Sequence, residues 1–493
     1  MGREIDQVDF AEADYRAFSA CLERDLVDLE SLLHKPDFGH GDATVGAELE
    51  IYVVDSQGHP LSLNEEIKRA ANDPRVTVEL NRYNLEYNLA PAVLAKGGMQ
   101  ALEQDILDSL QHLRSVAAPM GARIVPIGIL PTLREGDFGS HCITDRSRFH
   151  ALVKQLLKRR GGKFRVDIDG RDPLQMELED ITLEGANTSF QVHYLVQPEE
   201  FADTFNAVQL VTPLALALAA NSPTLFGHRL WQETRVPLFK QSIDTRHRDP
   251  YGWREPARVN FGQGWVRRGA LELFREVVRI YPPLLPVCEN TEASALSRHD
   301  NAPALSELRL HQSTVWLWNR PVYDDVDGGH LRIEMRALPA GPTAADMVAN
   351  AAFLIGAAEG IRPQLEALLP ALPFSLAEYN FYRAAQHGLD ARLMWPSVNQ
   401  TGYREHGIID VIAQVLPLAQ EGLRRIGVSA SESDHYLGII ENRLRKKQSG
   451  SIWQLKKLRQ LRQTETRDAA QHEMLEAFMR HSEANLPVAE WPL

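Results

Sequence analysis

The sequence predicts an α+β fold, and three observations predict it. Several segments between residues 45 and 339 alternate apolar and polar residues with a period of two. That is the pattern of half-buried antiparallel strands, whereas parallel strands buried on both faces read as continuous apolar runs. Beyond Pro342 the apolar period becomes helical and stays so almost to the end. No repeat, low-complexity tract or long linker divides the two regions, so helices and strands are expected to share one core.

Taken in order, residues 1–44 form an N-terminal leader whose residues 1–35 read as an amphipathic helix, with Phe10, Phe18, Leu22, Leu26, Leu29 and Leu33 at helical spacing. A catalytic β-sheet region spans 45–342. Its predicted strands are 45–54, 76–80, 85–89, 122–130, 188–195, 314–318 and 330–338. Its predicted helices are 98–117, 146–159, 201–220 and 269–281. Residues 343–493 form a helical portion packed on the same domain, with helices at 343–369, 375–389, 407–425, 431–447 and 451–482.

Bulk properties narrow the function. A chain of 493 residues with 44% apolar residues can bury a sizeable core. Its net charge of −13 argues against a broad nucleic-acid surface, which needs clustered Lys and Arg. Three cysteines, Cys21, Cys142 and Cys288, are far apart and lack CxxC spacing, so neither a disulfide framework nor a zinc site is expected. The charged start Met1-Gly2-Arg3-Glu4-Ile5-Asp6 has no apolar run of a signal peptide. The most apolar stretch, 210–220, is too short to span a bilayer. A cytoplasmic protein is expected, without a membrane or nucleic-acid partner.

Four strand segments carry the chemistry. In 46–52, Glu48 and Glu50 share one face and Leu49 and Ile51 the other. In 76–88, an Arg82-Tyr83 turn would set Glu79 directly opposite Glu86, and opposed like charges destabilise a sheet unless something neutralises them. In 188–195, Ser189, Gln191 and His193 share a face. In 330–338, Arg332, Glu334 and Arg336 do the same. Each strand alone could be an exposed, solvated edge. Together the polar faces lack Lys and are rich in oxygen ligands, which suits a hard cation such as Mg²⁺ or Mn²⁺ bridging to phosphates. Arginines on those faces suit phosphoryl oxygens. The segment 231–248 concentrates Arg235, Lys240, Arg246 and Arg248, a second candidate anion site. No Walker-type loop and no GxGxxG is present, which removes P-loop and dinucleotide-binding folds.

In order and spacing, these segments resemble glutamate–cysteine ligase family 2, which includes bacterial carboxylate–amine ligases. The match rests on Glu48-Leu49-Glu50, Glu79-x6-Glu86, Gln191-Val192-His193, Asn221-Ser222-Pro223 and Glu334-x-Arg336. Residues 383–391 and Ser449-Gly450-x3-Gln454 agree with it, so it covers about residues 45–460. The resemblance implies a glutamine-synthetase-like funnel of curved antiparallel sheet with helices outside. It implies one metal on Glu50, Glu79 and Glu86, and another on Glu48, His193 and Glu334 between ATP phosphates. It implies Arg336 at the transferred phosphoryl group, Gln191, Arg332 and Lys240 near the nucleotide, and Arg235 and Arg246 at phosphate or substrate. The expected reaction is activation of a carboxylate, glutamate first among acids, and its coupling to an amine, cysteine first among amines. A guanidino-kinase-like phosphotransferase and a non-catalytic Mg-ATP-binding protein remain as alternatives, and a homo-oligomer is possible.

Overall fold

The computed structural model describes residues 4–247, 255–289, 302–396 and 404–493. Strands β1 (Thr44–Val54), β2 (Val76–Val78), β3 (Asn84–Val93) and β4 (Arg123–Val125) come first. A small hairpin, β5 (Phe164–Ile168) and β6 (Leu174–Leu178), precedes β7 (Phe190–Leu195). Four two-residue strands follow, β8 (Thr224–Leu225), β9 (His228–Arg229), β10 (Val259–Asn260) and β11 (Trp316–Leu317), and then β12 (Asn319–Asp324) and β13 (His330–Met335). The main sheet is curled and antiparallel, in the order β12-β13-β7-β1-β3-β2, with β4 added to the far end of β1.

One face of this sheet is apolar because alternate residues are. Leu49, Ile51, Leu85, Phe190, Val192, Leu331, Ile333 and Met335 are all buried in the main core. Behind them lie the helices Phe201–Ala219 and Ala344–Ile361, which are apolar on nearly every side and therefore buried all round. The Ala344–Ile361 helix crosses the Ile408–Arg425 helix closely. A Cβ on Gly360 or Gly422 would meet the backbone oxygen of Leu418 or Gly356. The same core takes in Phe18, Leu22, Leu26 and Leu29 from the Glu12–Leu33 helix and residues as far as Leu444.

Several sequence expectations need correction. The 122–130 strand ends at Val125, because Pro126 lacks a ladder donor. Strands at 188–195, 314–318 and 330–338 are shorter than expected, at Phe190–Leu195, Trp316–Leu317 and His330–Met335. The β5–β6 hairpin and edge strand β12 were not expected, and Arg235–Ser242 is a helix where the sequence reads as loop. The 451–482 helix is two, Gly450–Leu461 and Arg467–Glu483. The length argument about membranes also changes. Pro198–Ala219 and Ala344–Ala371 are long and apolar enough to cross one, but 89% and 100% of their apolar windows are buried inside the fold.

Candidate active site

The other face of the sheet gathers the polar residues. Register places Glu334 opposite His193, and Arg320 of β12 opposite Glu334. Glu48 lies opposite Gln191 on one side and Asn88 on the other. A run of charge therefore crosses four neighbouring strands, from Arg320 through Glu334 and His193 to Glu48.

The β2–β3 register differs from expectation. Thr77, not Glu79, pairs with Glu86, and Val78 pairs with Leu85, so residues 79–83 form the connection. Arg-Tyr is a poor two-residue turn, and the chain takes a longer one. The slip is two residues, so Glu79 keeps its face. The opposed like charges occur one strand over, where Glu50 faces Glu86 across β1 and β3.

Two cavities open on this face. The first, about 350 Å³, is lined by Glu48, His193, Glu334, Arg309, Arg320 and Arg332 among others. The second, about 320 Å³, is lined by Glu48, Glu50, Glu79, Glu86, Gln191 and Arg336, together with Glu184 and Arg148. Glu48, Ser313 and Arg320 belong to both, so they form the partition where the cavities meet.

At that partition, donor atoms of Glu48, His193 and Glu334 lie within 4.8 Å of one another. The Nε2 of His193 is 3.4 Å from a Glu48 oxygen, and neither buried ring nitrogen makes a hydrogen bond. A buried imidazole without a hydrogen bond, facing two carboxylates, is a donor set suited to a divalent cation, and the residues present fit one. Glu334 is fully buried. Burial alone would raise its pKa, but Arg320 and Arg336 override that and hold it at about 2. Arg320 forks onto both Glu334 oxygens, and Arg336 donates to Glu334 at 2.6 Å and to the Gln191 oxygen.

Glu50, Glu79 and Glu86 share the second cavity but are drawn together less tightly. Among the described residues, the donor sets that meet the same distance are the Glu48 trio and a Cys21–Cys288–Glu307 group. Glu50 accepts from the Ser189 N–H at 2.7 Å and Gln191 at 2.8 Å, and Glu86 from Thr77 at 2.9 Å and Asn88 at 3.0 Å. These anchors separate acids that repel. Burial, then the neighbouring carboxylates, pushes Glu79 well above the usual range and Glu86 up to about 7. Burial, then Glu50, raises Glu184 to about 8. Cations would relieve this crowding of acids.

Of the remaining expected residues, Arg332 lines the first cavity and pairs with Asp324 at 3.1 Å. Arg235, Lys240 and Arg246 line neither cavity. Arg235 is 2% exposed and held by Glu233 at 2.6 Å and the Ala337 oxygen at 2.6 Å. Lys240 donates to the Tyr382 hydroxyl at 2.6 Å, and Arg246 is paired to Asp244 at 2.7 Å. Their charges are spent on local partners, which the sequence does not reveal. Arg248 lies outside the described residues.

Sequence reasoning missed Arg320, Glu184 and Arg148. Arg320 precedes Pro321, which masks a strand pattern, yet Pro is tolerated in β12 because β12 is an edge. Glu184 sits in the short 3₁₀ turn Thr182–Ala186, and Arg148 in the first turn of the Ser147–Arg160 helix; neither position shows a two-residue period.

The C-terminal motif Ser449-Gly450-x3-Gln454 has a structural part. Gln454 donates to both the backbone and side-chain oxygens of Asn221, and Ser222 N–H donates to Ser451. Glu233 accepts from Asn221 N–H and Ser222 and holds Arg235 in turn. Arg235 grips Ala337, the neighbour of Arg336. A Cβ on Gly450 would collide with the Asn221 side chain, so only glycine fits there.

A curled antiparallel sheet with acids on one face and helices on the other defines a glutamine-synthetase-like ligase fold. The chain belongs to glutamate–cysteine ligase family 2, whose model matches residues 44–477, and it is a carbon–nitrogen ligase that couples a carboxylate to an amine with ATP. Comparison with individual curated proteins gives no match. Among solved structures, glutamate–cysteine ligase from Francisella tularensis in complex with AMP is similar over 92% of this chain and 91% of that one, with 12% identity and a TM-score of 0.55. A bifunctional glutathione synthetase from Pasteurella multocida is similar over 95% of this chain and 55% of that one, with 10% identity and a TM-score of 0.51. At such identities these likenesses speak for the fold.

Proposed function

We propose that the protein activates the γ-carboxylate of glutamate and joins it to an amine, with cysteine the leading candidate and γ-glutamylcysteine the product. The observation that carries this reading is the convergence of Glu48, His193 and Glu334 where the two cavities meet. The first cavity is assigned to ATP and the second to the acid and amine. Divalent ions, Mg²⁺ or Mn²⁺, would supply neutralising charge on the phosphates when bound.

Glu48, His193 and Glu334 would hold one ion, and Glu50, Glu79 and Glu86 another. Arg332, on the wall of the first cavity, would face the nucleotide. Arg336, oriented by Gln191 and Glu334, would stabilise charge on the transferred phosphoryl oxygens, and Arg320 would do the same from the partition. A carboxylate oxygen attacks the γ-phosphorus, the bond to ADP breaks, and ADP leaves. The amine then attacks the acyl carbon, loses a proton, and inorganic phosphate departs. A reducing, cytoplasmic setting suits the three free cysteines.

The test is ADP release from Mg-ATP with a panel of acids and amines. Hydroxylamine in place of the amine should give a hydroxamate, which an acyl phosphate forms and a phosphorylated guanidine does not. No ADP from any acid–amine pair would sink the ligase assignment for this site.

A further inference from the structure

Away from the sheet face, a third and smaller cavity, about 30 Å³, lies between the β8–β9 hairpin and the Gly450–Leu461 and Arg467–Glu483 helices. Arg229, Arg459, Arg462 and Arg467 line it, and no described carboxylate does. In a chain of net charge −13, four guanidinium groups around one small hollow need a reason. Arg229 is paired with Asp172 at 2.6 Å, and Arg467 donates to the Phe226 carbonyl. Arg459 and Arg462 make no side-chain hydrogen bond or ion pair with any described residue. Three residues apart, they share a helix face and repel each other.

A solvated basic helix end would account for Arg459 and Arg462, because cations suit a helix C-terminus. It does not account for Arg467, which opens a helix, where a cation is unfavourable. The Asp468 that follows is paired with Arg134 at 3.4 Å. Gly227 makes room for Arg467: its φ is +71°, and a Cβ there would meet the guanidinium. Nor does a solvated end account for Thr224 on the cavity wall. Thr224 is 2% exposed, and its hydroxyl makes no hydrogen bond. Buried hydroxyls almost always have a partner. Cations from three separate elements, joined by a hydroxyl, suit an acceptor with oxygens in several directions. A tetrahedral oxyanion has them, whereas one guanidinium fork satisfies a planar carboxylate. We infer that this cavity is an accessory binding site for a phosphate group, either free phosphate or the head of a phosphate ester whose remainder stays outside. It shares no lining residue with the two cavities on the sheet, and it does not depend on their assignment. β8 follows directly on Asn221-Ser222-Pro223, and the Gly450–Leu461 helix carries Ser451 and Gln454. The occupant would therefore brace the two elements that the Asn221 clasp joins.

The experiment is thermal unfolding of the full chain without divalent ions, with inorganic phosphate replacing chloride at constant ionic strength. Phosphate should raise the wild-type melting temperature. The double variant Arg459→Gln with Arg462→Gln should need at least tenfold more phosphate for the same rise, and Thr224→Val should also need more. Arg16→Gln with Arg267→Gln, which removes the same charge elsewhere on the surface, should respond within twofold of wild type. Glycerol phosphate then separates the sources: a rise admits esters, and no rise restricts the site to the free ion. Phosphate held only where Glu48, His193 and Glu334 converge would give one response in every variant, and that result overturns the inference, as does no rise in wild type. Wild type alone supplies a second reading, which decides if the double variant fails to fold. Phosphate should slow phenylglyoxal modification of Arg459 and Arg462 several-fold, read by peptide mass spectrometry, and leave Arg16 unchanged. No protection, or equal protection at all three, overturns the site.

Discussion

Glu334 is the side chain on which most of the site's charge depends. It is wholly buried, faces His193 across the ladder, and carries Arg320 on one side and Arg336 on the other. Glu334→Gln keeps the shape and removes the charge. Turnover should fall by two orders of magnitude or more, the usual scale for losing an aligned electrostatic group, while far-ultraviolet circular dichroism stays native. Retained activity would remove Glu334 from the machinery. Glu184 offers a titration to follow. Its folded pKa of about 8 lies above the ordinary carboxyl value. Below pH 4.5 the group is neutral in both states and costs nothing. Between there and pH 8 only the unfolded chain releases the proton, so this group makes stability fall as pH rises, and above pH 8 its effect levels off. Thermal denaturation from pH 5 to 8.5 without divalent ions should show a shallower decline in Glu184→Gln than in wild type. Equal slopes would mean that Glu184 is already ionised.

At the scale of elements, the period of two decides what a sequence discloses. Faces were readable: Glu48 with Glu50, Gln191 with His193 and Glu334 with Arg336 all point to one side. Register was not, because it depends on the connection. The 79–83 turn shifted Glu79 from its expected partner while leaving it on the same face. Charges in loops and helices were misjudged for a related reason. The sequence singles out Arg235 and passes over Arg148, yet Arg235 is buried against Glu233 and Arg148 lines a cavity. Only tertiary contacts tell them apart. The clasp between Asn221, Ser222, Ser451 and Gln454 gives the element-scale prediction. Gly450→Ala forces a methyl into the Asn221 side chain. It should cost about 1–3 kcal/mol, as overpacking does, and loosen the Arg235 grip beside Arg336. Urea denaturation reads the first effect and kcat the second. Wild-type values for both would show that the clasp gives way freely.

For the molecule as a whole, the sheet's acids are a store of repulsion that folding alone does not relieve. Mg²⁺ or Mn²⁺ should therefore raise the melting temperature, through a stabilisation that follows RT ln(1 + [ion]/Kd), about 2.7 kcal/mol at a hundred times Kd. Calorimetry across an ion titration measures it. Glu48→Gln should blunt the shift, and an equal shift in that variant would place the ion elsewhere. The overall architecture was legible because the period-two strands end near Pro339 and a helical period follows Pro342, and because the central helices are apolar enough to announce burial. Edge strand β12 was not, since Pro321 breaks the pattern in the one kind of strand that tolerates it.

The two cavities meet at Glu48, Ser313 and Arg320 and otherwise have separate walls. Substitutions along the Ser147–Arg160 helix alter one chamber and leave the other's lining unchanged. On the proposed assignment of the two cavities, a lineage can thus trade one amine for another, residue by residue, on a chassis whose energy-coupling half is inherited intact. The division of space within the fold is what makes diversification of its products inexpensive in mutational steps.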